Sequence, residues 1–502
     1  MKQPSDTFDI LIIGAGPAGT TAALRLLALG YRVGLLEQAT FPRAQIGESL
    51  SPGIRNIFQY LQAGHLLGHP SFLSGLPAHI VWEKKAPQKI AAAHHGGGVV
   101  VDRSLLDQSM LALAVERGLH VWQPAKLESC QRTDRQWQVK YRYQNELRTL
   151  CSTIVLDARG RKGIQRTDRF QTAPSSVAIW THVPARVMPA ETTVEACENG
   201  WIWGSPMPGG RFRIMGFVAP ELVQQSPVNK TFNQLTGNSI LFKKSLLHLN
   251  TEKLQTCSVL NYLHKNPWKN GFLKLGESAF TLDPLSSTGV EKAMRFSLQT
   301  VIAVHTFLKT GNMDLAKTFY EKKITEAAAT HTCWTKNYYD AAWPGPDFEF
   351  WKKRSNYIFE KSKTPNSFIQ LFIDETKKIH KQTERSDIPR QKAGNSKPPQ
   401  QKIHLPTILN QIQHQPISLS NQISFLESIC VEDDLLKIKT AVSHPNLERE
   451  IAFLGQYELK PLLDLANGQD TFGSLLNKWH QFMPIEQAVK IGLYLWKERI
   501  LV

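Results

Sequence analysis

A glycine-rich turn near the start of the chain has the residue spacing of a loop that binds dinucleotide phosphates. Gly14, Gly16 and Gly19 stand in the order GxGxxG, with Pro17 and Ala18 between the last two. The first glycine permits a tight turn, the second lets the backbone approach a pyrophosphate, and the third allows close packing of helix on strand. The N–H groups and the positive dipole end of the following helix are then expected to bind the phosphates.

A carboxylate follows at the position where such loops bind a sugar. Glu37 comes eighteen residues after Gly19, at the end of the second apolar run. A carboxylate at this position accepts hydrogen bonds from ribose hydroxyls, and it would repel the 2′-phosphate of NADP. The turn and the acid together predict a bound dinucleotide, but they do not separate FAD from NAD.

This chemistry needs a strand, a turn, a helix and a second strand, and the apolar patterns predict them. Phe8–Ile13 and Arg32–Leu36 have the pattern of buried strands, and Ala18–Ala28 carries Ala and Leu at helical spacing. A unit of this kind implies a parallel sheet covered by helices. Between Ser176 and Val218 the pattern changes to short β-runs separated by turn residues, which predicts a second, mostly antiparallel sheet.

Further segments carry a resemblance to a known family. Residues 41–50, FPR followed by IGESL, resemble the FPR…IGES segment of flavin-dependent halogenases and related hydroxylases, and residues 102–107 resemble their DRxxFD segment. Residues 157–161 resemble their DASGR turn, and residues 276–290 resemble their GDAA…DPxxSxG block. With the glycine turn, these co-ordered matches identify the chain as a member of the flavin-dependent monooxygenase and halogenase superfamily, which has the fold of para-hydroxybenzoate hydroxylase.

The resemblance implies an FAD cofactor and residues that contact it. Residues 283–290 are expected to border the isoalloxazine, and Arg43 and Arg103 to lie beside the cofactor. Glu277 departs from the family's usual Asp, which keeps the charge and adds one methylene. The FAD-contacting residues expected in all are Gly14, Gly16, Pro17, Ala18, Gly19, Glu37, Arg43, Gly47, Glu48, Ser49, Arg103, Asp157, Gly276, Glu277, Asp283, Pro284, Ser287, Thr288, Gly289 and Val290.

The resemblance and the patterns together predict an α/β fold. A Rossmann-like FAD-binding domain is expected to carry an inserted, mostly antiparallel β-sheet domain for the substrate, and a small α-rich, winged-helix-like domain is expected at the carboxyl end. That last domain holds three helical patterns and suits a protein substrate, although dimerisation or stability explains it as well. The expected boundaries are 1–175 and 270–310 for the FAD domain, 176–269 for the β domain, 311–376 for a helical segment, 377–405 for a flexible basic linker and 406–502 for the last domain.

Members of the family use the same flavin cofactor, so the residues of the substrate pocket must determine which reaction takes place. In the monooxygenases reduced FAD forms a C4a-hydroperoxide that hydroxylates an aromatic ring. In the halogenases the same species oxidises halide, and in prenyl reductases the flavin delivers hydride to an alkene. Two departures disfavour halogenation here. Tryptophan halogenases carry a lysine beyond the GES turn, and the corresponding place in this chain, near His79, has no lysine. They also carry an acid before their Ser-Thr-Gly, and here Ser286 replaces it.

The form of the DPLSSxG segment, followed by Glu-Lys-Ala, is similar to that of flavoproteins that hydroxylate a peptidyl tryptophan during tryptophylquinone maturation. The resemblance therefore implies an FAD-dependent monooxygenase acting on an aromatic ring, a tryptophan in a partner protein or peptide. Halogenation of an indole or phenol and prenyl-type reduction stay as alternatives. Because only one dinucleotide motif is present, NAD(P)H must bind transiently or a separate flavin reductase must supply the electrons.

Candidates for the pocket and for the catalytic base complete the predicted site. Residues 199–206 resemble the GWxWxIP motif of the halogenases, which places Trp201, Trp203 and Pro206 in the substrate pocket. Packing within a buried aromatic strand explains the same motif equally well. His79 and Glu48 are the candidates for the base.

Composition limits the partners. The six cysteines are scattered without a CxxC pair, which is typical of reduced cytosolic thiols and predicts a cytoplasmic protein. The net charge of +16 favours acidic partners, but residues 485–496, the last helical pattern, hold one lysine and no arginine, so nucleic acid is not expected. No apolar run reaches the roughly 20 residues of a membrane span. His65 and His69 lack a third ligand, so no metal is expected.

Overall fold

The computed structural model describes residues 7–93, 97–134, 136–249, 253–359, 366–385, 412–447, 449–466 and 470–502. The chain divides into two units, Met1–Val304 with Lys317–Pro389 and His305–Ala316 with Arg390–Val502. The helices are α1 Pro17–Ala28, α2 Ile54–Tyr60, α3 Arg103–Glu116, α4 Pro220–Gln225, α5 Val228–Gly237, α6 Leu246–Leu249, α7 Gly289–Thr310, α8 Met313–Asp340, α9 Glu349–Ser355, α10 Ser367–Arg385, α11 Leu459–Asp464, α12 Phe472–His480 and α13 Ile485–Lys497. The strands are β1 Thr7–Ile13, β2 Val33–Leu36, β3 Ser49–Leu50, β4 Leu73–Ser74, β5 Ala78–Val81, β6 Gln88–Ile90, β7 Val99–Val100, β8 His120–Trp122, β9 Ala125–Arg132, β10 Trp137–Tyr143, β11 Glu146–Asp157, β12 Arg169–Gln171, β13 Ser176–Pro184, β14 Thr192–Cys197, β15 Gly200–Met207, β16 Arg211–Val218, β17 Gln255–Val259, β18 Tyr262–His264, β19 Trp268–Lys269, β20 Phe272–Lys274, β21 Ser424–Glu432, β22 Leu435–Ser443, β23 Phe453–Leu454 and β24 Tyr457–Glu458.

The first unit contains a sheet whose central strands are parallel. Its order is β19-β20-β11-β1-β2-β8, and β1 pairs in parallel with β2 on one side and with β11 on the other. The strands β1 and β2 are almost entirely buried, as parallel strands are when both faces of a sheet are covered. The carboxyl end of β1 lies where the strand order reverses, which is the place where open α/β sheets bind ligands.

The second sheet of this unit has the order β17-β13-β16-β15-β14-β5-β6. Every pairing in it is antiparallel except that of β14 with β5, so it is mostly antiparallel, as predicted. One face, here called the aromatic face, carries Trp201, Trp203 and Phe217 and packs against Tyr339 and Trp351. The opposite face forms a separate apolar cluster with residues of α5 and α6.

Several predicted boundaries were wrong. The strands β5 and β6 were assigned to the FAD domain, but β5 pairs with β14 and β6 with β5, so both belong to the second sheet. The strand β19 lies in the range assigned to the β domain, but it pairs with β20 of the first sheet. Helix α10 continues to Arg385, because Lys, Arg and Gln, which suggested a linker, are also good helix formers. Residues 386–405 of the predicted linker lie outside the described residues.

The second unit contains the three helices that the sequence patterns predicted, here α11, α12 and α13. Thr471 caps α12 through reciprocal hydrogen bonds with Ser474, at 3.2 and 3.0 Å. The hairpin of β21 and β22 was not predicted, and the unit also takes in His305–Ala316, which the boundary at residue 406 excluded. Among the helices of the described residues, none is both long and apolar enough to cross a membrane.

Candidate functional site

The glycine turn lies at the carboxyl end of β1 and begins α1. Gly14 has φ +108°, and a Cβ on it would lie 2.6 Å from the carbonyl oxygen of Ala158. A Cβ on Gly19 would lie 2.0 Å from the carbonyl oxygen of Gly14. At Gly16 the nearest atom is a guanidinium nitrogen of Arg43, 3.6 Å away from where a Cβ would be. Packing therefore requires the first and third glycines, whereas the second faces a space bounded by a cation.

Fixed polar groups surround this space. The carboxylate of Glu37 accepts the N–H groups of Ala15 and Ala39, both at 2.7 Å, which fixes it beside the glycine turn. Arg43 lies 3.8 Å from Asp107, and its buried Nε has no hydrogen-bond partner within the described part of the chain. A guanidinium with a free donor, close to the N-terminus of a helix, fits a pyrophosphate.

A second turn, which follows β20, also lies against the start of α1. Gly276 has φ +60°, and a Cβ on it would lie 2.9 Å from the Cβ of Ala18, so the turn Gly276–Ser278 packs against the start of α1. The half-exposed carboxylate of Glu277 lies 3.6 Å from Arg161. The structure therefore brings Gly276 beside the start of α1, and Glu277 follows it in the same turn.

Asp157 was also expected to contact FAD, but its carboxylate is bound to other residues of the protein. It lies at the end of β11 with no exposed surface. Its carboxylate accepts hydrogen bonds from Arg159, at 2.8 and 2.7 Å, and from Lys274 at 2.9 Å. Burial opposes the charge, but the two cations lower the pKa of Asp157 below its usual value. Its observed role is an ion-pair network that fixes the turn after β11.

A second group of predicted residues meets at the start of α7. The guanidinium of Arg103 donates to the carbonyl oxygen of Ile46 at 2.9 Å and to both carboxylate oxygens of Asp107, at 2.9 and 3.0 Å. A Cβ on Gly47 would lie 3.0 Å from Arg103 and 3.4 Å from Val290. The loop that precedes Ser49 is thus enclosed between α3 and α7. Arg103 is only 5% exposed, so it holds this loop and presents little charge to solvent.

The loop before α7 is fixed by the buried Asp283. The carboxyl of Asp283 accepts the N–H of Leu285 at 3.0 Å, the hydroxyl of Tyr339 at 3.0 Å and the side-chain amide of Asn261 at 3.2 Å. Burial raises the pKa of Asp283 above its usual value. These bonds fix the turn that continues through Pro284.

Beyond this turn the chain opens toward free space. Ser287 takes the left-handed conformation, with φ +51°, and the hydroxyl groups of Ser286 and Thr288 lie 2.7 Å apart. Apart from its chain neighbours and the backbone of its own helix, no atom of the described residues lies within 4 Å of where a Cβ on Gly289 would be. Because Gly289 begins a helix of 22 residues, this open helix end is suited to hold negative charge. The N-termini of α1 and α7 both have open space beside them, and two such helix ends suit a long dinucleotide such as FAD.

The two candidates for the base are not brought together. Glu48 forms a buried ion pair with Arg213 of β16, and Arg213 also bonds to the Nε2 of His182, at 3.1 and 3.0 Å. His79 lies in register with Thr193 on β14, whereas its neighbour Ile80 packs on the aromatic face. Alternation along β5 therefore directs His79 to the opposite face.

On that opposite face His79 is already engaged. Its Nδ1 lies 2.9 Å from Glu191, and Lys89 of β6 lies 3.5 Å from the same carboxylate. The structure gives His79 no access to the aromatic face, so the prediction that it is a catalytic base is not supported by its position.

The predicted pocket residues are packed. Trp201 is 2% exposed and stacks on Phe217 with ring centroids 3.9 Å apart, and Trp203 is 9% exposed. Pro206 is buried in the same strand, β15. Of the two interpretations that the sequence left open, the geometry favours packing for the two tryptophans.

Sequence reasoning missed several residues of the site. Arg213 is a buried cation in β16, whose other charged residue, Arg211, is exposed at the start of the strand. A cation within the apolar run that follows could have revealed it. Lys292 of α7 lies 3.2 Å from the Nδ1 of His331, whose Nε2 lies 3.2 Å from the carbonyl oxygen of Asp283. Burial lowers the pKa of Lys292 to about 8 and that of His331 to about 3. No local pattern pairs residues so far apart in the chain.

Comparison with known proteins identifies the class. The family model described as "Tryptophan halogenase" matches residues 9–65 and 83–388, and the chain belongs to this family. A tryptophan 2-halogenase of Chondromyces crocatus is 27% identical over 64% of this chain and 66% of its own length. LodB of Marinomonas mediterranea, described as an FAD-dependent oxidoreductase, is 24% identical over 70% of this chain and 97% of its own.

Solved structures share the fold over nearly the whole chain. The flavin-dependent halogenase CmlS superposes with a TM-score of 0.71 at 19% identity, covering 99% of this chain and 96% of its own. The peptidyl tryptophan dihydroxylase QhpG superposes with a TM-score of 0.69 at 16% identity, covering 98% and 99%. The protein is an FAD-dependent oxidoreductase with a mixed α/β fold, and its family membership confirms the resemblance read from the motifs.

Proposed function

We propose that the protein is an FAD-dependent monooxygenase that hydroxylates a tryptophan side chain in a partner protein during the biogenesis of a quinone cofactor. The supporting observation is the composition of the aromatic face beside β5. The residue of β5 that packs there is Ile80, and the basic side chains His79 and Lys89 pair with Glu191 on the other face. The resemblance to halogenases implies a lysine in this region. Strand β5 itself contains no lysine, and the amine of Lys85, beyond β5, lies 4.7 Å from the ring centroid of Trp343.

The chain's own residues would hold FAD at two points. We propose that the N-terminus of α1, Arg43 and Glu37 bind the pyrophosphate and ribose, and that the loop at Gly47 and the N-terminus of α7 hold the isoalloxazine. When bound and reduced, FAD supplies the electrons that activate dioxygen. One oxygen atom then enters the indole ring and the other leaves as water. NADH or NADPH with a flavin reductase is the proposed source of the electrons.

A protein substrate is proposed from the likeness to QhpG, which extends over 98% of this chain. The second unit, with its hairpin β21–β22, offers additional surface for a protein partner.

Oxygen labelling tests the reaction. The protein loaded with FAD is incubated with a flavin reductase, NADH and candidate quinoprotein precursors under 18O-labelled dioxygen, and tryptic peptides are analysed by mass spectrometry. In unlabelled gas we expect shifts of roughly +16 or +32 Da on a tryptophan, and the labelled gas should appear in the same peptide. A mixture without reductase is the control. Unlabelled product, or none with any precursor, contradicts the proposal.

Halogenation is the second candidate, and one observation favours it. The amine of Lys292 lies 3.2 Å from His331, which in turn contacts the carbonyl oxygen of Asp283 in the loop before α7. Burial lowers the pKa of this amine to about 8. The same mixtures are therefore run with chloride or bromide and with free indoles. A shift of roughly +34 Da that requires chloride and carries no labelled oxygen would establish halogenation and reject hydroxylation.

A further inference from the structure

A cavity of about 390 Å³ lies in the first unit and shares no lining residue with the proposed flavin site. Its walls come from α8, α10, the segment after α9 and the loop between β12 and β13. Pockets of roughly 300 Å³ or more are of a size that encloses small organic ligands. The lining shows which chemistry such a ligand must have.

The charged side chains at the cavity are all basic. Lys336, Lys377 and Lys381 line it together with the imidazole of His380, and no carboxylate does so among the described residues. Lys377 is partly neutralised by Asp374 at 3.5 Å. Lys336 and Lys381 have no acidic partner within the described part of the chain. This one-sided charge favours an anion.

A buried cation reinforces this charge from within. Arg354 lines the cavity and is 4% exposed. Its guanidinium donates to the carbonyl oxygens of Phe350 and Ser175, at 2.9 and 2.8 Å, and to the hydroxyl of Ser176 at 2.6 Å. These partners are neutral, so the charge is fixed in place without a direct carboxylate contact. The acids that act on it from a distance are Asp283 and Glu221.

The remaining lining is apolar and aromatic. Tyr357, Phe359 and Ile373 form one part, and Cys333 and Pro174 another. An apolar body is stabilised by such walls at about 25 cal/mol for each Å² removed from water, whereas a small inorganic ion gains nothing from them.

We infer that this cavity binds an organic anion with an apolar body, a carboxylate whose tail lies between Tyr357, Phe359 and Ile373 and whose charge faces Lys336 and Lys381. Tyr339 lines the cavity and also donates to Asp283 of the loop before α7. The residues that would hold the ligand, Lys336, Lys381, Tyr357, Phe359 and Ile373, are not among those proposed to hold FAD.

Titration calorimetry with two matched probes tests the inference. Phenylbutyrate and phenylbutanol have the same aromatic tail and differ in charge. With the full chain loaded with FAD, we expect one phenylbutyrate per chain and binding of phenylbutanol at least about tenfold weaker, since a charge-assisted contact is worth about 1.5–3 kcal/mol. Equal binding of the two probes would overturn the inference, as would the absence of binding by phenylbutyrate.

Charge variants locate the site. The double variant Lys336→Gln/Lys381→Gln should bind phenylbutyrate about threefold to tenfold more weakly, since exposed ion pairs contribute modestly. Lys352→Gln/Lys378→Gln removes the same charge from α9 and α10 outside the lining and should leave binding unchanged. Equal losses in both double variants would show only a general effect of net charge, which would overturn the placement of the anion in this cavity.

A space-filling variant gives an independent readout. Ile373→Trp should abolish binding of phenylbutyrate while the flavin content of the purified protein stays that of the parent. If this variant fails to fold, the two charge variants still decide. Unchanged affinity in a folded Ile373→Trp protein would place the ligand elsewhere.

Discussion

Replacing Glu48 by glutamine tests how the loop before β3 is held to the second sheet. Glu48 is 6% exposed, its partner Arg213 is 8% exposed, and Arg213 is shared with His182. Burial lowers the pKa of Arg213 and the charge of Glu48 opposes this, but a guanidinium stays protonated in proteins. The substitution therefore leaves a buried cation without its counter-charge.

The expected cost follows from these contacts. Breaking a buried ion pair by removing one partner costs about 3–5 kcal/mol. The amide oxygen of the introduced glutamine would still accept a hydrogen bond from the guanidinium, which recovers about 1 kcal/mol. We expect the free energy of unfolding of the first unit to fall by about 2–4 kcal/mol. Since the entropy of unfolding scales with size, Tm should fall by only a few degrees.

Urea unfolding followed by tryptophan fluorescence measures this loss, and a double-mutant cycle isolates the pair. The variants are Glu48→Gln, Arg213→Met and both together. The double variant should be more stable than Glu48→Gln alone, because no buried charge is then left unpaired. Flavin absorbance of each purified variant separates unfolding from loss of cofactor. An unchanged urea midpoint for Glu48→Gln, or strictly additive losses, would refute the buried pair.

Other predictions follow from the glycine turn and from buried groups. Gly16→Ala should fold but bind FAD at least about tenfold more weakly, because its Cβ occupies the approach to the pyrophosphate; Gly19→Ala should fail to fold, since its Cβ would lie 2.0 Å from a carbonyl oxygen. Both are read from flavin absorbance and circular dichroism, and full flavin content in Gly16→Ala would contradict the assignment. Arg43→Gln should weaken FAD binding by about 1.5–3 kcal/mol, measured by flavin fluorescence quenching, and an unchanged Kd would exclude its contact with phosphate. His331 has a folded pKa of about 3, below its unfolded value near 6.5, so the unfolded state binds the proton first and stability is lost as pH falls from about 6.5 to 3. His331→Gln should flatten the dependence of Tm on pH in that window, and a profile equal to that of the parent would show that His331 does not contribute.

Local patterns predicted the opening of the fold well. The strand, turn, helix and strand at residues 7–36 were found within one residue of most expected bounds, since each is specified by its own glycines and apolar spacing. The short β-runs predicted between Ser176 and Val218 likewise begin with β13 at Ser176 and end with β16 at Val218. In contrast, nothing in the short run at Ala78–Val81 shows that it pairs in parallel with β14, more than 100 residues later. Such a pairing depends on tertiary structure, which a local pattern does not contain.

The residues of the candidate site also divide into those that a local pattern predicts and those whose contacts depend on tertiary structure. The glycine turn could be assigned because its function depends on backbone geometry that glycine alone permits. The pair of Glu48 with Arg213 and the bond from Tyr339 to Asp283 join residues 165 and 56 positions apart. Nothing in the spacing of these residues selects one partner from the many polar residues of the chain, so their contacts could be read only from the structure.

The charged residues of the motifs are buried, which limits what the motifs reveal about the reaction that the protein catalyses. Asp157, Arg103 and Asp283 all belong to recognisable segments, and each has its side chain occupied by protein partners. A buried charge is tolerated only when such partners compensate it, so the observed role of these side chains is to fix the loops in which they lie. The motifs therefore specify a flavin-binding frame that halogenases and hydroxylases share. The choice between the two reactions must depend on positions outside the motifs, and Ile80 on the aromatic face and the amine of Lys292 are two such positions.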